Sequence, residues 1–155
     1  MARNINVISM FPDDDTDKEV FLQAAGKSYS GKERHVSLYW INRDQGMLFV
    51  EHVLQLIGAP GNYHWENMAR FRDRDAGWKD TIYPLGRYTR EQRDQIVKLA
   101  GLVEYNPSST VNSCRAWMRD LLEAMTEDPI VSLDRNIFEQ VDEQVPLAKR
   151  RPEVV

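Results

Sequence analysis

RHVSLYWINRDQGMLFVEHVLQL, residues 34–56, decides the fold. Val36, Leu38 and Trp40 fall on one side of an extended chain. His35, Ser37, Tyr39 and Ile41 fall on the other, which is the period of two that marks a strand. Arg-Asp-Gln-Gly at 43–46 reads as a turn, and 47–56 is rich in Phe, Val and Leu. Strand, short turn and strand together predict an antiparallel hairpin.

Working outward, NINVISM at 4–10 reads as a strand and 17–25 as a short helix. Thr16 with Glu19 would cap that helix and Gly26 would stop it. IGAPGN at 57–62 breaks the pattern, and YHWENMARFRDRDAGW at 63–78 fits no single period. KDTIYPLGRY suggests a strand ending at Pro84. Thr89 with Gln92 forms a second capping box, opening a helix that carries Ile96, Leu99, Ala100 and Val103 at helical spacing. A further helix is expected over 113–126 and an amphipathic one within 133–145. Strands come early and helices late, which predicts an α+β domain. We expect a small antiparallel sheet flanked by about four helices in residues 1–145, with a loose tail at 146–155.

The 155 residues suit one core, and the net charge of −4 argues against a general nucleic-acid binder. One cysteine excludes an intramolecular disulfide and a cysteine-rich zinc site. No apolar run approaches a membrane span, and MARNINVISMFPDDD is not a secretory signal. A reducing cytoplasm is therefore the expected setting. No pattern points to a metal or an organic cofactor. The acidic run DDDTDKE reads as a solvated turn. Arg70, Arg72 and Arg74 lie near Phe71 and Trp78, so they could bind an anion or stack on a base. The interleaved Asp73 and Asp75 suggest internal ion pairs instead. Trp40, Tyr39, Trp65, Trp78, Tyr83 and Tyr88 suit either a core or an aromatic-lined pocket.

The single cysteine, Cys114, opens the helix after Asn112 or Ser113 as N-cap. A thiol there faces the positive end of the helix dipole, which favours the thiolate. It also shares a stripe with Trp117, Leu121 and Met125, as a packed core cysteine would. A nucleophilic cysteine needs a histidine base. His35 and His52 sit on successive strands, with Glu51 beside His52, while His64 reads as a loop residue.

The order histidine, histidine, then cysteine at a helix start resembles the permuted papain-like fold of the lecithin:retinol acyltransferase type. That family has Asn-Cys-Glu-His around its nucleophile, where this chain has Asn112-Ser113-Cys114-Arg115. RHVSLYWI and NSCRAWM are also similar to short fungal proteins that have a histidine strand and a Cys-Arg-x-Trp helix, and these carry no firm activity. The acyltransferase resemblance implies a cysteine-dependent hydrolase or acyltransferase acting on a small amide, ester or thioester. Cys114 would attack the carbonyl, His35 would shuttle the proton, and His52 or Glu51 would orient His35. Trp40, Asn112, Arg115 and Trp117 would contact the substrate. The alternative is a non-catalytic binding domain, or a cofactor-free small-molecule enzyme, with an aromatic-lined pocket and a structural Cys114.

Overall fold

The computed structural model describes residues 5–154. It is an α+β domain in which one antiparallel sheet carries three helices. The strands are β1 (Lys18–Ala24), β2 (Val36–Asp44), β3 (Leu48–Ala59), β4 (Asn62–Asp73) and β5 (Thr81–Tyr88), in the spatial order β4-β3-β2-β1-β5. The helices follow in sequence: α1 (Arg90–Leu102), α2 (Cys114–Glu127) and α3 (Arg135–Gln144).

The expected hairpin is present as β2 and β3, with Leu38 opposite Leu54 and Trp40 opposite His52. The uncertain segment 63–78 supplies β4, a long strand paired along the whole of β3. Its hairpin turn needs glycine. Gly58 has φ +122°, and a Cβ there would collide with the carbonyl of Asn62.

Three expectations are corrected. Residues 17–25 form no helix, so the described residues hold three helices rather than about four. Val20, Leu22 and Ala24 are buried at every second position, and the hydrogen bonds of β2 on one side and β5 on the other complete an inner strand. The expected cap is absent because Thr16 bonds to Asp14 in a local turn. Asn4 of the expected strand at 4–10 lies outside the described residues, and the rest of it is irregular. It touches the sheet through Val7 N–H donating to the Ala69 carbonyl at 2.7 Å. Pro84 does not end its strand. It sits in β5, an edge strand, beside a register shift opposite Val20 and Phe21, where a missing N–H is tolerated.

The alternation of β2 gives the sheet two different faces. Val36, Leu38 and Trp40, with Leu22 and Leu54, meet the helices in the main core. α2 brings Trp117, Met118, Leu121, Leu122 and Met125 to it. α1 adds Ile96 and Ala100, and α3 adds Phe138 and Val141. Phe21, Tyr39, Ile41, Val53 and Met68 cluster on the opposite face.

The Thr89 capping box forms as expected. Four residues into α1, the side chain of Arg93 is fully buried. Its guanidinium donates to both carboxylate oxygens of Asp13 at 2.9 and 2.8 Å, and to the carbonyls of Tyr88 and Asp14. Burial raises the Asp13 pKa, but the bonds from Arg93 and Lys18 outweigh it and hold the carboxyl below its ordinary value. This fork ties the approach to β1 to the start of α1. Asp13→Ala would leave a buried cation without its partner, and urea denaturation should show a loss of about 3–5 kcal/mol.

Candidate functional site

The sheet separates the residues expected to act together. His35 precedes β2 and projects to the face away from the helices. Its Nε2 pairs with Gln55 Oε1 at 2.8 Å, and Gln55 in turn donates to Glu66. His52 lies on β3 on the helix-bearing face, tilted against the Trp40 ring at 4.5 Å. Its Nε2 bonds to Asn67 Oδ1, and its Nδ1 is buried without a partner among the described residues. Burial lowers the His52 pKa, against the opposing bond from Asn67. Glu51, the next residue to His52, points to the His35 face and takes Arg70 and Arg72 at 2.8 and 2.7 Å.

Cys114 begins α2 with Ser113 as N-cap, as the sequence suggests. It is buried, and the partners within reach of its sulfur are Glu33 Oε1 at 3.7 Å and the Arg34 carbonyl at 3.8 Å. The backbone of residues 34–36 runs past the sulfur, and His35 projects from it towards Gln55 on the other face. Burial pushes the thiol up to about 11, with Glu33 adding to the rise against the opposing effects of the Val36 backbone and Arg115. The helix-start position favours a thiolate, but desolvation and a carboxylate neighbour outweigh it.

Glu33 also occupies the start of α2. Its Oε1 accepts from Ser113 Oγ at 2.7 Å and Arg115 Nε at 3.2 Å. Arg115 further donates to the Pro146 carbonyl and stacks on Tyr29. Asn112 is buried and bonds to Arg151 and Glu153 with its side chain, so it anchors the segment after α3. Trp40 and Trp117 are core residues whose indole nitrogens have no partner among the described residues. The substrate-contacting residues expected from sequence are thus engaged in packing or in internal bonds.

A pocket of about 410 Å³ lies on the opposite face. Phe21 and Tyr39 lie side by side on β1 and β2, stacked at 5.2 Å, and form its floor. Ile41, Phe49 and Ile82 surround them, and Trp78 on the turn after β4 stands at the rim, 68% exposed. The Arg72 guanidinium lies over Tyr39 at 4.7 Å and that of Arg74 over Phe49 at 4.3 Å. The arginines are ion-paired, but with Glu51 and Asp44 rather than with the interleaved Asp73 and Asp75. Spacing could have revealed this row: Arg70, Arg72 and Arg74 at every second residue put three guanidiniums on one side of a strand.

Among the described residues, no cluster of His, Cys, Asp and Glu could hold a metal ion, and no helix is long and apolar enough to cross a membrane. No protein-family model, curated protein or solved structure matches the chain.

Two measurements check the electrostatics. Native Cys114 should resist iodoacetamide at pH 8 and react at once in denaturant; a native rate that plateaus below the ordinary thiol pKa would contradict its burial. His52, with its folded pKa depressed, takes up a proton more readily in the unfolded chain. Stability should therefore fall as pH drops below about 6.5 and level off beneath the folded pKa. His52→Gln should flatten that part of a pH series of urea midpoints.

Proposed function

We propose that this chain is a non-catalytic ligand-binding domain that takes a small, largely apolar molecule into the pocket opposite the helices. The observation that carries this reading is the stacked Phe21–Tyr39 floor walled by Ile41, Phe49, Trp78 and Ile82. Concave, mostly apolar sites with a few placed polar groups are the usual form of small-molecule pockets. Water gains little by wetting such a floor, so a ligand that covers it is favoured by burial of apolar area.

The thiol chemistry implied by the papain-like resemblance finds less support. The order of His35, His52 and Cys114 along the chain and the position of Cys114 at a helix start agree with it. The surroundings of the sulfur do not favour it. A nucleophile needs a base within hydrogen-bond reach, and the groups near this sulfur are a carboxylate and a carbonyl. Cys114 serves instead as a small apolar residue where α2 meets the sheet.

A neutral fluorescent probe, N-phenyl-1-naphthylamine, tests the reading. It should bind the native chain, and Trp78→Ala or Phe49→Ala should each weaken it roughly tenfold, the loss expected for an aromatic contact of about 1.4 kcal/mol. Cys114→Ala, if folded by circular dichroism, should bind as well as the parent. Binding indifferent to both aromatic variants would remove the pocket reading. Hydrolysis of p-nitrophenyl acetate that is lost in Cys114→Ala would restore the thiol one.

A further inference from the structure

The edge of this pocket is cationic and rich in donors. Arg72 spends one terminal nitrogen, Nη1, on Gln23 and Glu51, while its Nη2 lies against Gly77. A side chain at Gly77 would collide with that nitrogen, so glycine lets the turn lie on the guanidinium. Arg74 uses Nε on the Gly46 carbonyl and Nη2 on Asp44. Each guanidinium has five N–H groups, so both retain donor capacity.

Two nearby carboxylates are already engaged. Glu51 gives one oxygen to Arg70 and the other to Arg72. Asp44 Oδ1 accepts from both Gly46 N–H and Arg74. The Asp44–Arg74 pair is half exposed on both sides, so water and salt weaken it. Arg70 balances Glu51 behind the pocket wall. On the lining itself, Arg72 and Arg74 face one acid, Asp75, and Lys79 stacks on the rim residue Trp78 at 5.3 Å. Among the lining residues the balance is positive, two guanidiniums to one carboxylate. A quaternary ammonium ligand would need the faces of Tyr39 and Phe49, and the guanidiniums already cover them.

Resting on the pocket reading above, we infer that the ligand is a small planar aromatic acid. Its ring lies beneath Trp78, against Ile82, Ile41 and the exposed edge of the Phe21–Tyr39 stack, and its carboxylate or similar anion meets Arg74 and Arg72. A flat ring matches the exposed indole of Trp78, and a two-oxygen anion matches the fork of a guanidinium.

The test pairs two probes with the same aromatic body. 1-Anilinonaphthalene-8-sulfonate carries an anion, and N-phenyl-1-naphthylamine does not. At low salt the native chain should bind the sulfonate about tenfold more tightly. Arg74→Gln should bring the two affinities within about twofold by weakening the sulfonate alone, and 0.5 M NaCl should act in the same direction. Unlabelled 2-naphthoate should displace the sulfonate, and 2-naphthalenemethanol should displace it far less well. Equal affinities, with both probes sensitive to Trp78→Ala, would overturn the acid preference and leave the pocket reading standing. Failure of both probes to bind, or binding of both that ignores Trp78→Ala, would overturn the pocket reading and the acid with it.

Discussion

A strand buried on both sides must divide its side chains between two environments, and the rest of this molecule follows from how β2 does so. It lies between β1 and β3, and its first five residues are all buried. Val36, Leu38 and Trp40 commit one face to the helices, while Ser37 and Tyr39 commit the other to the open side. The pleat allows no compromise, because a shift by one residue would exchange the two sets. This alternation is why a histidine and a cysteine that suggest one site in the sequence end on opposite sides of the sheet.

The elements legible in the sequence are those whose signal is local. The β2–β3 hairpin shows period two, and α1 shows a capping box with a stripe, so both read correctly. α2 and α3 follow from apolar spacing. Residues 17–25 suggest a helix because Val20, Phe21 and Ala24 fit a helical stripe as well as a strand. What decides between them is pairing with Tyr83 and Leu38, far away in sequence. β4 hides its period because both of its faces carry polar residues. The pocket was less legible still. Tyr39, Trp78 and the arginines stand out singly in the sequence, but Phe21 falls in a stretch with helical spacing, and its meeting with Tyr39 depends on the register of two strands. The helix-start position of Cys114 is visible in sequence, whereas the burial that opposes a thiolate depends on tertiary structure.

The open face keeps its shape through charges as well as apolar contact. Glu51 is buried between two guanidiniums, and removing a carboxylate from water is costly unless its lone pairs are met. Here both oxygens are met, and Arg72 is held over the Tyr39 ring, 4.7 Å from its centre. The ion pair, with the bond from Arg72 to Gln23, therefore fixes where this guanidinium sits on the pocket wall. Glu33 does similar work on the other side, where one carboxylate satisfies Ser113 and Arg115 and links the loop before β2 to the start of α2.

The strand order has a consequence for how the chain is made. β1 is the first of these five strands to be synthesised, yet its second neighbour is β5, which ends at Tyr88. The helix that covers Leu38 and Trp40 does not begin until Cys114. On the ribosome the β1–β4 meander can assemble early, but β1 then presents an unpaired edge and the sheet an uncovered apolar face. Such surfaces are prone to pair with other chains while they wait. The nascent protein is thus most exposed to aggregation between the emergence of β4 and that of α2, an interval in which chaperone protection would matter most.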